Sequence, residues 1–171
     1  MVKVVVVPNI EKFDCINENI TELDLSHCPK LQILFCYNNQ LTELDLSHCP
    51  KLQELYCDDN QLTKLDLSHC PELQGFDCYD NQLTELDLSH CPKLQILFCP
   101  NNQLTELDLS YCPNLHALYC SNNQLTELNI LNNDKITKCD WKDNPIYSKE
   151  TNTIEKLKEY NRNNCSEYVL K

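Results

Sequence analysis

The sequence Leu31-Gln-Ile-Leu-Phe-Cys-Tyr-Asn-Asn-Gln-Leu-Thr-Glu-Leu-Asp-Leu-Ser-His-Cys-Pro-Lys51 is about one copy of a unit that recurs every 21 residues. Its second half begins again, nearly unchanged, at Leu41, Leu62, Leu83 and Leu104. A fixed period of this length is typical of a solenoid, in which no unit can bury its apolar side alone and stacked units share one core. The chain is therefore predicted to be a mainly β repeat solenoid.

Each unit has two similar halves. Counted from the Leu of Leu-Thr-Glu, the apolar residues fall at positions 1, 4, 6, 9, 12, 15 and 17. Both halves contain a short alternating segment, Leu-x-Leu or Leu-x-Cys, which indicates a strand, and neither half has room for a helix of ordinary length. We therefore predict a coil of 21 residues with two short strands.

The repeat extends over most of the chain. Residues 2–19 are interpreted as a degenerate first coil, with Val2, Val4 and Val7 at the inward positions 4, 6 and 9. Regular coils fill 20–124, and a drifted coil covers 125–145, where Asn133 stands at position 9 and Trp141 at position 17. This predicts about seven coils within a solenoid domain of residues 1–145.

The period stops after residue 145. Asn152 and Glu155 resemble a helix capping box, and apolar residues follow at helical spacing. Residues 146–171 are therefore predicted to form a C-terminal helical cap and tail, with a helix near 152–163 that covers the last coil.

Composition excludes several classes of partner and location. The net charge of −12, without a basic run, argues against nucleic acid. No apolar stretch reaches the roughly 20 residues of a membrane span. The first residues lack the pattern of a signal peptide, and 13 cysteines stand at repeat positions. We therefore expect reduced thiols and a cytoplasmic location.

The segment Leu31-x-x-Leu34-x-Cys36-x-x-Asn39-x-Leu41 resembles the leucine-rich repeat signature. It recurs from Leu52, Leu73, Leu94 and Leu115. The whole unit is similar to the 21-residue class called Irreko-type repeats, found largely in bacteria, over roughly residues 2–145. The resemblance implies a curved parallel β-solenoid with a strand near positions 15–17 on its concave side. It also implies that positions 13, 14, 16 and 18 face outward there and bind protein.

One polar residue recurs at position 20. Because the same position lines up from coil to coil, these asparagines are predicted to form a buried ladder whose amides satisfy backbone groups in the turns. Its members are Asn39, Asn60, Asn81, Asn102, Asn123 and Asn144.

The recurring Asp-Leu-Ser-His-Cys contains residue types used in catalysis and in zinc binding. It appears at 24–28, 45–49, 66–70 and 87–91. Catalytic sites are single constellations in a pocket, and the Cys is expected to point inward while the His points out. We predict no enzyme activity, no cofactor and no metal site. The stacked Asp and Glu columns leave Ca²⁺ binding as an alternative to a solvated face.

The repeats differ mainly at positions 14, 16, 18 and 19, and several of the differing residues are aromatic. Contiguous exposed aromatic residues mark contact surfaces, although Phe and Tyr also suit strands in general. The predicted partner-binding residues are Ile33, Phe35, Tyr37, Glu54, Tyr56, Asp58, Asp77, Tyr79, Ile96, Phe98 and Tyr119.

The leading hypothesis for function is a protein-interaction module whose partner the sequence does not name. One alternative is a structural solenoid that self-assembles through its uncapped N-terminal edge, for instance as a homodimer through residues 2–7. Another, by family analogy alone, is a bacterial effector delivered into a host cell.

Overall fold

Every coil contributes one strand of three residues to a common sheet, and the first two coils each contribute a second short strand. The structure, a computed structural model, describes residues 2–146. Its strands are β1 (Lys3–Val5), β2 (Lys12–Asp14), β3 (Glu22–Asp24), β4 (Ile33–Phe35), β5 (Glu54–Tyr56), β6 (Gly75–Asp77), β7 (Ile96–Phe98), β8 (Ala117–Tyr119) and β9 (Lys138–Asp140). The strands from β4 onward start at the same position of every repeat.

Seven strands form one parallel sheet in the order β2-β4-β5-β6-β7-β8-β9. The register advances by one repeat at each step, so Phe35 pairs with Tyr56 and Tyr56 pairs with Asp77. The strands β4 to β9 bury their central residue, such as Leu34, and except for the buried Ala117 their flanking residues are partly or fully exposed. The structure thus confirms the predicted parallel solenoid with like positions stacked on one another.

The N-terminal strand forms a separate two-stranded sheet, β1-β3, in which Val4 pairs with Leu23. Val6 is therefore the inward residue and is 2% exposed, whereas Val2 and Val7 are 43% and 64% exposed. The predicted register of Val2, Val4 and Val7 is wrong by two residues. A shift of two keeps the alternation of a strand, and Val4 to Val7 are all valine, so the apolar pattern does not separate the two registers.

Among residues 2–146 the second predicted strand of each coil forms only in the first two coils, as β1 and β3. In the later coils the equivalent residues, such as Leu44 and Leu46, are buried but carry no strand ladder. The alternation of apolar residues predicts which side chains point inward. It does not predict whether neighbouring backbones come within hydrogen-bonding distance. Stacked Asp side chains oppose that approach, whereas Val5 stands opposite Asp24 in β1-β3.

The core consists of leucine and cysteine columns. Twelve described cysteines are free thiols, and all of them are buried. Eleven of them stack at positions 9 and 17 of the repeat, as Cys49 and Cys57 illustrate, and Cys139 is at position 15 of the last coil. Burial raises the pKa of Cys49 and of Cys70 to about 12. These thiols therefore act as small apolar core residues and not as nucleophiles at neutral pH.

The asparagine ladder forms as predicted. Asn60 Oδ1 accepts the Leu41 N–H at 3.0 Å, and its Nδ2 donates to the carbonyls of Cys36 and Cys57 at 3.0 and 3.1 Å. Asn144 makes the same contacts at the last coil but is only half-buried. Each amide therefore ties one coil to the coil before it.

The residue before each ladder asparagine adopts a left-handed conformation. Its φ is 55° at Asn38, 50° at Asp59 and 51° at Asp80, and no positive-φ glycine occurs in the described part. Asn and Asp are the non-glycine residues that best tolerate this region.

The drifted last coil keeps the fold with different chemistry. Asn133 replaces the position-9 cysteine, is 4% exposed, and donates through Nδ2 to the carbonyls of Leu109 and Cys112 at 3.0 Å. The predicted helix at 152–163 and most of the predicted cap lie outside the described residues. Residues 2–146 contain no helix of the length and apolarity needed to cross a membrane.

Candidate functional site: the strand face

The outward side chains of the seven-stranded sheet form one continuous surface. We call it the strand face and define it by the first and third residues of β4–β8 and the residue two positions beyond each strand. All eleven predicted binding residues lie on the strand face, and none of them is buried. Ile96 is 43% exposed, and the other ten are intermediate.

The aromatic residues of the strand face fall into two groups. Phe35 and Tyr56 stack with ring centroids 4.8 Å apart and an interplanar angle of 12°. Lys12 Nζ lies 4.8 Å from the Phe35 centroid. On the other side, Phe98 contacts Tyr119 at 4.7 Å and meets Tyr79 edge-on at 6.3 Å.

The two aromatic groups are separated at β6. Asp77 stands in the row between Tyr56 and Phe98, and Gly75 stands beside it in the neighbouring row. A Cβ added at Gly75 would meet only the Glu54 side chain, at 3.8 Å, which is an ordinary contact. We call this gap, bounded by Tyr56 and Phe98 and floored by Gly75 and Asp77, the notch.

The notch is acidic. Asp77 Oδ1 accepts the Tyr79 N–H at 3.1 Å. Burial raises the pKa of Asp77 to about 7 and the pKa of neighbouring Asp58 to about 6. Burial favours the neutral form of a carboxyl group when no cation compensates its charge. The two ion pairs found within residues 2–146, Lys3–Glu22 and Lys93–Glu72, do not include either group.

The acidic columns away from the strand face have a structural role. In each regular coil an Asp Oδ1 accepts the backbone N–H of the Ser two residues later, as Asp45 does from Ser47 at 2.9 Å. Hydrogen bonds from the side chain and the backbone of Ser47 hold the pKa of Asp45 below its usual range, and those of Ser89 do the same for Asp87. Shallow grooves run between these columns, but the described residues contain no group of three His, Cys, Asp or Glu placed to hold a metal ion.

Stacked three-residue strands, an asparagine ladder and a two-sided coil define a parallel β-solenoid of short repeats. The family model for paired leucine-rich repeats matches residues 29–69, 50–90, 71–110 and 92–142, and a single-repeat model matches 17–32. The chain belongs to the leucine-rich repeat family. Proteins with this fold are a class of protein-interaction module.

Several solved structures share the fold. The functional domain of InlJ from Listeria monocytogenes, described as including a cysteine ladder, is 35% identical over 81% of this chain and 31% of that chain, with a TM-score of 0.80. A leucine-rich repeat protein of Leptospira interrogans is 21% identical over 82% and 44%, with a TM-score of 0.69. Internalin C2 of Listeria monocytogenes is 23% identical over 82% and 75%, with a TM-score of 0.61.

The last two of these likenesses show the fold alone. The chain spans about a third of the length of the InlJ domain and under half of the Leptospira protein. A comparison with curated proteins gives no match.

Sequence reasoning missed one feature of the strand face and one of the acidic columns behind it. The first is the notch, whose signal was available because Gly75 is the only glycine of the chain and interrupts an otherwise larger row. The second is the hydrogen bond from each Ser N–H to the preceding Asp, which the Asp-Leu-Ser spacing contains as an Asx turn.

Proposed function

We propose that this chain is a non-catalytic module that binds a protein partner through the strand face. The observation that carries the proposal is the aromatic surface formed by Phe35, Tyr56, Phe98 and Tyr119, whose rings are partly exposed on one side of the molecule. Aromatic residues dominate binding hot spots because they bury a large area with little loss of conformational freedom.

The proposal also rests on the rigidity of this surface. Each ring is attached to a strand whose neighbours are in register, and the rings already contact one another. A preorganised surface loses little entropy when a partner binds.

The test is the double variant Tyr56→Ala with Phe98→Ala. We expect it to fold but to lose capture of a protein from cell lysate, because each substitution removes one aromatic wall. The control is Thr63→Ala with Thr105→Ala, two exposed residues outside the strand face. Unchanged capture by the Tyr56→Ala/Phe98→Ala protein would contradict the proposal.

A second candidate function is self-association through the N-terminal edge. Val5 and Val7 are 58% and 64% exposed, and β1 pairs with one strand only among the described residues. An edge strand with exposed β-branched residues is a template for pairing with another chain. If it pairs, the mass from light scattering rises with protein concentration, and Val5→Lys abolishes the rise; a constant monomer mass rejects this candidate.

A further inference from the structure

The notch gives the proposed partner a chemical character. The inference rests on the proposed function, because it concerns what the strand face binds. The walls of the notch, Tyr56 and Phe98, project from strands two apart in the sheet. Twice the strand spacing is about 9–10 Å, which leaves room for one side chain between the rings.

Each wall contacts a ring on its far side, and Phe98 is also met edge-on by Tyr79 from the coil of the notch floor. Phe35 stacks on the far side of Tyr56, whose hydroxyl donates to Glu54 Oε2 at 3.3 Å. Tyr119 contacts the far side of Phe98 with ring centroids 4.7 Å apart and an interplanar angle of 41°. The walls are thus positioned without a ligand, as preorganised recognition requires.

The floor and rim of the notch carry negative charge only. Asp77 lies at the floor, and Glu54 and Asp58 stand on the adjacent strand and the turn that follows it. The lysines of the sheet strands are Lys12 in β2 and Lys138 in β9, at the two ends of the sheet. A partly desolvated carboxylate without a counter-ion is stabilised by a cation brought in by a partner.

We propose that the strand face binds a basic segment of a protein partner by taking an arginine side chain into the notch, between Tyr56 and Phe98 and against Asp77. A guanidinium is planar, stacks on aromatic faces and donates two parallel hydrogen bonds to a carboxylate. A lysine ammonium supplies charge without stacking, so arginine fits these walls better. The net charge of −12 favours approach of a basic partner.

The chain provides its own probe for this site. Because Gly75 is the only glycine and lies at the notch floor, labelling with ¹⁵N-glycine gives the full chain one amide signal at the site. The experiment titrates this protein with the peptide acetyl-Gly-Arg-Gly-amide, with its lysine analogue and with its neutral citrulline analogue. We expect saturable movement of the Gly75 signal with arginine, several-fold weaker binding of lysine, and none with citrulline.

Two matched variants locate the charge. Asp77→Asn keeps an oxygen that accepts the Tyr79 N–H, so the fold is retained while arginine binding weakens about tenfold or more. Asp140→Asn changes the same repeat position, and the same type of hydrogen bond to residue i+2, outside the notch and leaves binding unchanged. An unmoved Gly75 signal, equal binding of lysine or citrulline, or equal loss in both variants would overturn the proposal.

A separate result distinguishes this inference from the proposed function. If a captured partner is lost with Tyr56→Ala/Phe98→Ala but is retained by Asp77→Asn, the strand face binds protein and the arginine assignment is wrong. If the peptide binds while capture survives the aromatic double variant, the notch is an arginine site and the proposed function fails.

Discussion

The asparagine at position 20 satisfies backbone groups that the three-residue strands leave unpaired. Asn81 Oδ1 accepts the Leu62 N–H at 2.9 Å, and Nδ2 donates to the carbonyls of Cys57, Cys78 and Tyr79. No apolar side chain of similar size supplies both a donor and an acceptor. The strictness of this position follows from that requirement.

We expect Asn81→Leu to lower the free energy of unfolding by about 3 kcal/mol, because it leaves several buried groups unsatisfied. Asn144→Leu is the matched control at the half-buried end of the ladder, with an expected loss of about 1 kcal/mol. Urea unfolding followed by circular dichroism measures both. Equal losses at the two sites would show that burial does not set the contribution of the ladder.

Asp77 gives the protein a pH dependence of unusual sign. Burial raises its folded-state pKa to about 7, above the ordinary value near 3.9, so the native state binds more protons than the unfolded state between those values. The free energy of unfolding therefore rises as the pH falls from 7.5 to 5. The facing groups Asp58 and Asp59 act in the same direction, since burial also raises the pKa of each.

Below pH 4 the opposite effect takes over. The Asp residues of the back columns have lowered pKa values because they accept hydrogen bonds from Ser residues, and that stabilisation is lost as they become protonated. Thermal unfolding across pH is expected to show a maximum near pH 5. Asp77→Asn should raise stability at pH 7.5 by about 1 kcal/mol and change little at pH 5, and an equal effect at both pH values would contradict this assignment.

The first coil shows that an apolar pattern alone does not determine the register of a strand. The carbonyl of Val2, just before β1, accepts the Thr21 N–H at 2.9 Å. Lys3 of β1 forms an ion pair with Glu22 of β3. Those contacts, and not the valine pattern, place Val6 inward. The connection from β1 to β2 is two residues shorter than the regular repeat requires.

The register is tested by two adjacent substitutions. We expect Val6→Asp to detach β1, because the substitution buries a charge. The backbone amides of residues 6 and 21 should then lose their protection from hydrogen exchange. Val7→Asp, at an exposed residue, should leave protection within error. The reverse outcome would restore the register that the sequence pattern predicts.

The elements also show what sequence reasoning could reach. The repeat predicted parallel stacking and the alternation that leaves Phe35 and Tyr56 outward, since these follow from periodicity. The strand was predicted near positions 15–17 and lies at positions 14–16. The apolar pattern did not distinguish an extended segment from a strand that is hydrogen-bonded to a neighbouring strand, as at Leu44 and Leu46. The notch was not predicted, although the stacked register and the single glycine already place Gly75 and Asp77 between the strands of Tyr56 and Phe98.

The raised pKa of Asp77 was also beyond prediction, since it depends on burial by neighbouring coils. Cytoplasmic location and delivery to a host cell stay predictions.

The solenoid as a whole is a one-dimensional stack, in which each strand of the main sheet pairs only with its neighbours. The stability of such an array is approximately a sum of units and their interfaces. Because the regular coils share register and length, one of them can be deleted while the remaining coils keep the same interfaces with one another.

We expect deletion of residues 62–82 to give a folded, less stable protein in which β5 pairs with β7. In this protein the aromatic row becomes continuous and the notch disappears, so it should not bind the arginine peptide. Because Gly75 is deleted as well, binding is followed through tyrosine or phenylalanine signals. Deletion of residues 104–124 removes the same length and keeps Tyr56, Asp77 and Phe98 together. Arginine binding that survives the first deletion would place the site elsewhere.

The left-handed turns have a consequence for how such a chain changes over generations. Asn and Asp both adopt this conformation, as at Asn38, Asp59 and Asp80, so one nucleotide change exchanges a neutral corner for a charged one without altering the backbone. The charge along that rim is therefore free to drift or to be selected coil by coil. In this chain the two consecutive carboxylates are Asp59, in the coil before the gap in the aromatic row, and Asp80, in the coil that contains the gap, so a change of charge there would alter ligand binding first.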